Sequence, residues 1–490
     1  MKREAVNPFL PPDVYIPDGE PHVFGDRVYL FGSHDKENGD TFCMLDYEVW
    51  SAPADDLSDW SSKGANYSAR QDPRCSDAMC YMYAPDCVCG NDGRYYLYYC
   101  LAGNRGQGGY SNPISVAVSD EPDGHYEYLG VVRNPDGTPL MRYACFDPAV
   151  INDDGTIRLY YGTTLPWMDA IPFKRMRYKA IGRIVGRTAE DAAKGVLGSY
   201  HVTLADDMLT AVSAPVRIDD TISGAEYKHH RFFEGSSSRK IKGSYYFIYS
   251  TVNNHELCYA TSSRPDGGFV YGGTIVSNGD IGYQGRLPKD RLNHTGTNHG
   301  SVECIGGQWY VFYHRLTHNS DYSRQACAEP ITILPDGSIP QVEMTSCGLN
   351  GGPLRGGIYP AVICCNLTNG HMSHGTNQKK KTPEPCVTSG NGERYITGIT
   401  DGTMIGYKSF ALSGKGTLSI MARGDEGMFA VTLGNQKAEI PLTSSQNWTE
   451  YHVEFAVDTG GTFPLFLTFR GEGKAELKEI RIGGGDGWNS

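Results

Sequence analysis

The chain predicts an all-β protein, a five-bladed β-propeller followed by a β-sandwich of jelly-roll type. Three observations carry that expectation. Five segments repeat one plan, a polar residue, a tight turn seven to nine positions later and then a strand rich in aromatics. The turns, at Asp26, Gly93, Gly155, Gly243 and Gly307, lie 67, 62, 88 and 64 residues apart, room for a four-stranded sheet with its loops. Finally, 60 glycines and 32 tyrosines with little extended helical periodicity describe a turn-rich β protein.

Taken in order, the hairpins are YIPDGEPHVFGDRVYLFGS from Tyr15, YAPDCVCGNDGRYYLYY from Tyr83, FDPAVINDDGTIRLYYG from Phe146, FFEGSSSRKIKGSYYFIYS from Phe232 and NHGSVECIGGQWYVFYH from Asn298. Their polar residues are Asp18, Asp86, Asp147, Glu234 and His299. If each sits on the innermost strand of its blade, all five converge at one end of a central channel. Four carboxylates and a histidine in one depression repel one another and lose hydration, so chemistry explains them better than structure does. The long third interval holds TAEDAAKGV, Thr188 to Val196, which predicts a short helix in an inserted loop. The propeller domain should span residues 1–345, ending after the Pro-Asp-Gly turn of ITILPDGSI, Ile331 to Ile339. A glycine-rich stretch, CGLNGGPLRGG, opens the second domain, residues 346–490. There NQKKKTPEP reads as a solvated loop, and from Tyr395 short alternating strands follow one another as in a sandwich.

Composition limits the partners. A net charge of -12 over 490 residues argues against nucleic acid and anionic membranes and suits a neutral ligand. No apolar run is long enough to span a bilayer. MKREAVNPFLPP lacks the apolar centre of a signal peptide, which predicts a cytoplasmic protein, or a secreted one whose leader has been removed. The 14 cysteines are scattered and predict reduced core residues; Cys87-Val-Cys89 and Cys364-Cys365 lack zinc spacing. GNRGQGGY, Gly103 to Tyr110, opens no helix and is no phosphate cradle. His229 and His230 have no partner spacing and read as solvated.

Hydrolysis of a glycosidic bond requires two carboxyl groups in opposite protonation states. Glu234 beside Asp147 should hold its proton near neutrality and serve as acid, leaving Asp18, across the axis, ionised as base. Against this, Asp18-Gly19 and Asp147-Pro148 are also ordinary turn pairs whose carboxylates cap amides. Their shared phase in the repeat favours a site, and a glutamate among strand phenylalanines is expensive without a role. Asp86 is either a site residue or a blade-closing acceptor. His299 is either a core histidine or a channel residue that contacts a calcium ion or its water shell.

With NPFLPP, DGEPHVF, YAPD, FDPAV, EGSSS, NHGSVE and YHR in that order, residues 7 to 340 resemble glycoside hydrolase family 43. The resemblance implies the five-bladed propeller and a single-displacement, inverting mechanism. In it Asp18 is general base, Glu234 general acid, and Asp147 the residue that orients the acid and raises its pKa. The family usually shows Asp-Pro at the base; here Asp18-Gly19 is followed by Glu20-Pro21, so Glu20 is a rival. Arg324 matches an arginine that contacts sugar hydroxyls, Tyr83 stands where an aromatic packs on the sugar, and Trp167 is a candidate wall. Residues 350 to 490 resemble a family 6 carbohydrate-binding module, with Trp448 either a binding or a core residue.

The expected activity is removal of α-L-arabinofuranosyl groups from arabinoxylan or arabino-oligosaccharides of the plant cell wall. β-Xylosidase, or a bifunctional arabinofuranosidase/xylosidase acting on xylo-oligosaccharides, is the alternative, and a non-catalytic glycan-binding propeller is the reading from another class. No cofactor is required; a structural Ca2+ in the channel is the one ion expected.

Overall fold

A computed structural model describes residues 4–106, 109–141, 144–164, 176, 197–375 and 384–484. It is all-β, with five antiparallel sheets in chain order followed by one large sheet. The first blade holds β1 (Glu20–Phe24), β2 (Arg27–Phe31), β3 (Trp50–Pro53) and β4 (Ser61–Ser62). The second holds β5 (Tyr81–Cys89), β6 (Tyr95–Ala102), β7 (Ser115–Ser119) and β8 (Glu127–Val131). The third holds β9 (Ala149–Asp153), β10 (Thr156–Thr163), β11 (Gly198–Leu204) and β12 (Val216–Arg217). The fourth holds β13 (Phe232–Ile241), β14 (Ser244–Thr251), β15 (Glu256–Ser262) and β16 (Val270–Ser277). The fifth has three strands, β17 (Ser301–Ile305), β18 (Gln308–Leu316) and β19 (Arg324–Ile331).

The aromatic second strands explain why the blades form a ring. Alternate side chains of a strand point to opposite faces, and here each face meets a different neighbouring blade. On β6, Leu97, Tyr99 and Leu101 join the core shared with Tyr29 and Phe31 of the first blade. Tyr96 and Tyr98 join that shared with Leu159 and Tyr161 of the third. Tyr160 then packs with Phe247 and Tyr249, Ile248 with Val311 and Tyr313, and Phe312 with Val28 and Leu30 of the first blade. Both faces being buried, these strands read as unbroken apolar runs.

Residues 5–10 lie against the fifth blade. Asn7 Nδ2 donates to the Ala328 carbonyl at 2.8 Å and Asn7 Oδ1 accepts from the Ala328 N–H at 3.0 Å, while Phe9 and Leu10 enter the core between the fifth and first blades. At the inner rim, Gly19 and Gly300 form a parallel bridge. A Cβ on Gly300 would stand 1.9 Å from the Phe312 carbonyl oxygen, so only glycine fits.

The large C-terminal sheet has nine strands among the described residues: β20 (Gly357–Pro360), β21 (Asn366–Thr368), β22 (Cys386–Gly390), β23 (Glu393–Ile399), β24 (Met404–Gly424), β25 (Gly427–Leu433), β26 (Gln436–Leu442), β27 (Ser445–Arg470) and β28 (Ala475–Gly484). β24 and β27 pair along most of their length through three register shifts, and the set surrounds one core that includes Tyr407, Phe410, Phe429 and Phe469. It is fixed to the propeller by polar contacts. Arg315 donates to the carbonyls of Val362 and Cys364, Lys408 Nζ lies 3.1 Å from Asp280, and the Val387 N–H donates to the Thr317 carbonyl at 2.9 Å.

Several expectations change. Cys75 and Cys80 form a disulfide; the other twelve cysteines form none and are mostly buried, in line with the expectation of reduced core thiols. His230 is not solvated. Its Nδ1 bonds Glu256 at 2.8 Å, because the buried carboxylate needs a partner, and its ring stacks on Tyr271. The Thr188–Val196 helix, Trp167 and the lysines of NQKKKTPEP lie outside the described residues. No helix among the described residues is long and apolar enough to cross a membrane.

Candidate active site

The inner ends of the blades are kinked where the polar residues sit. Asp18 has φ 58° and Asp147 φ 44°, a left-handed region that aspartate enters at some cost, and such strain gathers at functional sites. Glu234 lies between two register shifts of β13, a bulge that re-aims its side chain. Gly235 follows at φ 69°; a Cβ there would meet Ser250 Oγ at 2.7 Å and the His299 ring at 3.0 Å.

These kinks bring Asp18, Asp147, Glu234, His299 and Arg324 together. Arg324 Nη1 donates to both Asp18 oxygens, at 2.7 and 2.9 Å, and His314 Nδ1 accepts from the Asp18 N–H at 3.3 Å. The Gly235 N–H donates to Asp147 Oδ2 at 3.0 Å, tying Asp147 to the residue next to Glu234. His299 Nδ1 is 3.8 Å from Asp18 Oδ1 and 4.0 Å from Asp147 Oδ2, so those oxygens are no more than 7.8 Å apart.

Electrostatics separates the carboxyls. Burial alone would raise Asp18, but the Arg324 guanidinium outweighs it and holds Asp18 well below the usual carboxylate range. Glu234 is pushed up to about 8, first by burial and then by the charge of Asp18. Asp147 is raised well above its ordinary value by burial and then by Glu234. Near neutrality Asp18 is therefore ionised while Glu234 holds its proton. Burial lowers His299 to about 4, leaving a neutral imidazole.

The other candidates stand elsewhere. Asp86 is a blade-closing acceptor: its carboxylate bonds His22 Nε2 at 2.6 Å and the N–H groups of Cys87 and Val150 at 2.7 and 2.6 Å. A fully buried carboxylate so engaged has little left for a sugar, which corrects its placement among substrate contacts. Tyr83 is buried against Phe146; its hydroxyl accepts from the Gly106 N–H at 2.8 Å and donates to the Gly103 carbonyl at 3.3 Å. Glu20, the rival base, lies apart from this group on Arg239, at 3.0 Å, and near Asp86, whose charge, after burial, raises it to about 7. Arg324 is committed to carboxylates, since Nε and Nη2 grip Asp35 at 2.8 and 3.0 Å and its plane covers the Phe42 ring.

Sequence reasoning missed Asp35, Phe42, Tyr110 and His314. His314 is the middle of YHR, a motif noted without assigning its histidine. Tyr110 packs on Phe146 at 4.5 Å, close enough to Glu234 and Asp147 for their charges to act on it. Asp35 and Phe42 lie in an irregular loop with no periodic signal.

A family model described as "Glycosyl hydrolases family 43" matches residues 6–339. The chain belongs to this family. A "Xylosidase/arabinosidase" of Thermoclostridium stercorarium is 41% identical over 98% of this chain and 99% of its own length. A protein of the same name from Bacteroides ovatus is 32% identical over 62% of this chain and 87% of its own. Among solved structures, the GH43_1 enzyme from Xanthomonas citri complexed with xylose superposes with TM-score 0.53 at 25% identity, over 71% of this chain and 96% of that one. The family 43 chain is thus a glycoside hydrolase, and the reading as a non-catalytic propeller is set aside. The C-terminal sheet lies beyond the matched residues. Its Trp448 is half-buried outside the sandwich core, with Arg423 4.2 Å from its ring centre and its indole N–H donated to Glu393.

Proposed function

We propose that this enzyme is an inverting exo-glycosidase that removes pentosyl groups from arabinoxylan or its oligosaccharides, α-L-arabinofuranosyl groups first and β-xylosyl groups as the second reading. One observation carries the mechanism: Asp18, gripped through both oxygens by Arg324, shares a buried cluster with His299, Asp147 and the Glu234–Gly235 bulge, so burial favours the proton on Glu234 while Arg324 keeps Asp18 ionised. Asp18 takes a proton from a water as its oxygen attacks the anomeric carbon; the glycosidic C–O bond breaks, and Glu234 gives its proton to the leaving oxygen. Asp147, held by the Gly235 N–H, fixes the backbone beside Glu234. The names of the relatives, xylosidase/arabinosidase in Thermoclostridium stercorarium and Bacteroides ovatus, support a pentose as substrate.

A calcium ion in the channel would take oxygen ligands, and His299, whose Nε2 is buried without a hydrogen-bond partner, would meet it through a water of its shell. When bound, it would supply positive charge near Asp18 and Asp147. We also propose the division into a catalytic unit, residues 1–345, and a family 6-like carbohydrate-binding unit, residues 346–490. Release of 4-nitrophenol from paired α-L-arabinofuranoside and β-D-xylopyranoside substrates ranks the two activities. Proton NMR of the first-released sugar tests inversion, and a product of retained configuration refutes it.

A further inference from the structure

The β22–β23 hairpin of the C-terminal sheet reaches back to the catalytic end of the propeller. Arg394 Nη2 donates to Glu37 Oε2 at 3.0 Å, with the two side chains about one-fifth and one-quarter exposed. Glu37 Oε1 also accepts from Tyr15 OH at 2.9 Å and lies 3.2 Å from His318 Nε2. Two residues earlier in the same irregular loop stands Asp35, whose carboxylate grips Arg324 in a two-pronged pair. Arg324 in turn holds both oxygens of Asp18.

The loop between β2 and β3 has strand pairing only at the isolated Tyr47–Tyr67 bridge near its end. Around Asp35 its contacts include the Asp35 N–H to the Tyr15 carbonyl at 2.9 Å, the Asn38 N–H to Ser323 Oγ at 2.8 Å, the Cys43 N–H to Asp35 Oδ1 at 2.9 Å, the Arg324 N–H to Asp35 Oδ2 at 3.2 Å, and Glu37. Of these only Glu37 is gripped by the C-terminal sheet, through the charge-assisted bond from Arg394 Nη2. Because Asp35 occupies the Nε and Nη2 edge of Arg324, any drift of the loop rotates the guanidinium, and with it the Nη1 group that orients Asp18.

We infer that Arg394 is a positioning residue for catalysis, holding the Asp18 carboxylate in line through Glu37, the loop carrying Asp35, and Arg324. The inference rests on Asp18 being the base. The C-terminal sheet is thereby part of the catalytic apparatus and not only an attached binding unit.

The test measures kcat and KM from about pH 2 to pH 9 on 4-nitrophenyl glycosides for the full chain and for Arg394→Ala, Arg394→Lys, Glu37→Gln, the Arg394→Ala/Glu37→Gln pair and Asp18→Asn. The groups facing Asp18 are Arg324, His314, His299, Asp147 and Glu234, with Asp35 behind Arg324; all are retained except in the Asp18 control. Arg394→Ala and Glu37→Gln should each lower kcat about tenfold to a hundredfold, the loss expected of a remote change that displaces a reacting group, with KM within about twofold. The double variant should be no worse than the poorer single. Arg394→Lys should recover part of kcat, and the acid limb of kcat should move upward as Arg324 loosens from Asp18. Wild-type kcat in Arg394→Ala, a loss confined to KM, or single losses that multiply in the pair would overturn the relay. Should Arg394→Ala fail to fold, Glu37→Gln decides alone by the same kcat criterion. Full turnover by Asp18→Asn would instead remove the assignment of the base, whereas an inactive Asp18→Asn beside an unaffected Arg394→Ala removes only the relay.

Discussion

Replacing Glu234 by glutamine should make the enzyme more stable and nearly inactive at the same time. A carboxyl whose pKa is about 8 when folded and 4.5 when free binds more protons in the folded state between those values. This residue's contribution to stability therefore falls as pH rises from 4.5 and levels off above 8. At pH 7 the cost of keeping that proton is at most about 3 kcal/mol, since each tenfold difference in proton affinity is worth about 1.4 kcal/mol. Glutamine has the same shape and no charge to desolvate, so Glu234→Gln should raise the denaturation midpoint at pH 7 to 8, and the gain should vanish near pH 4. With no proton to donate, hydrolysis of a poor leaving group such as a xylo-oligosaccharide should fall about 10²–10⁴-fold. Release of 4-nitrophenol, which leaves as an anion, should suffer less. Equal gains in stability at pH 4 and pH 8, or undiminished turnover on the oligosaccharide, would refute the reasoning.

Three further outcomes follow from the same geometry. The kcat/KM profile should lose its basic side near pH 8, where Glu234 gives up its proton, while its acid side should persist well below pH 4 because Asp18 stays ionised there; a basic limb near pH 5 would contradict this. Gly235→Ala forces a Cβ to 2.7 Å from Ser250 Oγ at a positive φ, so it should cost about 1–3 kcal/mol in denaturant titration and lower kcat as His299 shifts. Asp86→Asn removes a charged acceptor from the Val150 N–H and should cost about 1.5–3 kcal/mol of stability while kcat stays within a few-fold, since Asp86 braces blades and does not face the reaction.

Much of this was legible in the sequence because a propeller repeats itself. The hairpin turns and the aromatic strands are local, and the shared phase of Asp18, Asp147, Glu234 and His299 survives translation into space since each occupies the same place in its own blade. The same logic misled at Asp86. Its phase matches the others, but a register shift in β5 after Tyr83 and the nearby His22 turn its carboxylate toward neighbouring backbone. Asp35 and Arg394 were invisible for a different reason. They belong to a loop and to the C-terminal sheet, and only the meetings of Asp35 with Arg324 and of Arg394 with Glu37, each across several hundred residues, give them a purpose. The Cys75–Cys80 bond was hidden likewise, because composition reports how many thiols there are and not which two meet.

The pairing of Asn7 with Ala328 has a consequence for how the molecule is made. The clasp joins two stretches separated by 321 residues, so a ribosome adding about 5–20 residues per second needs roughly 16–64 s between them. During that interval the first blade waits with one flank uncovered, and Phe9 and Leu10 have no groove to fill. Nascent chains are thus most prone to stick to one another just before the last blade emerges, and a bulky fusion placed immediately ahead of Asn7 should lower soluble yield more than one placed after residue 484.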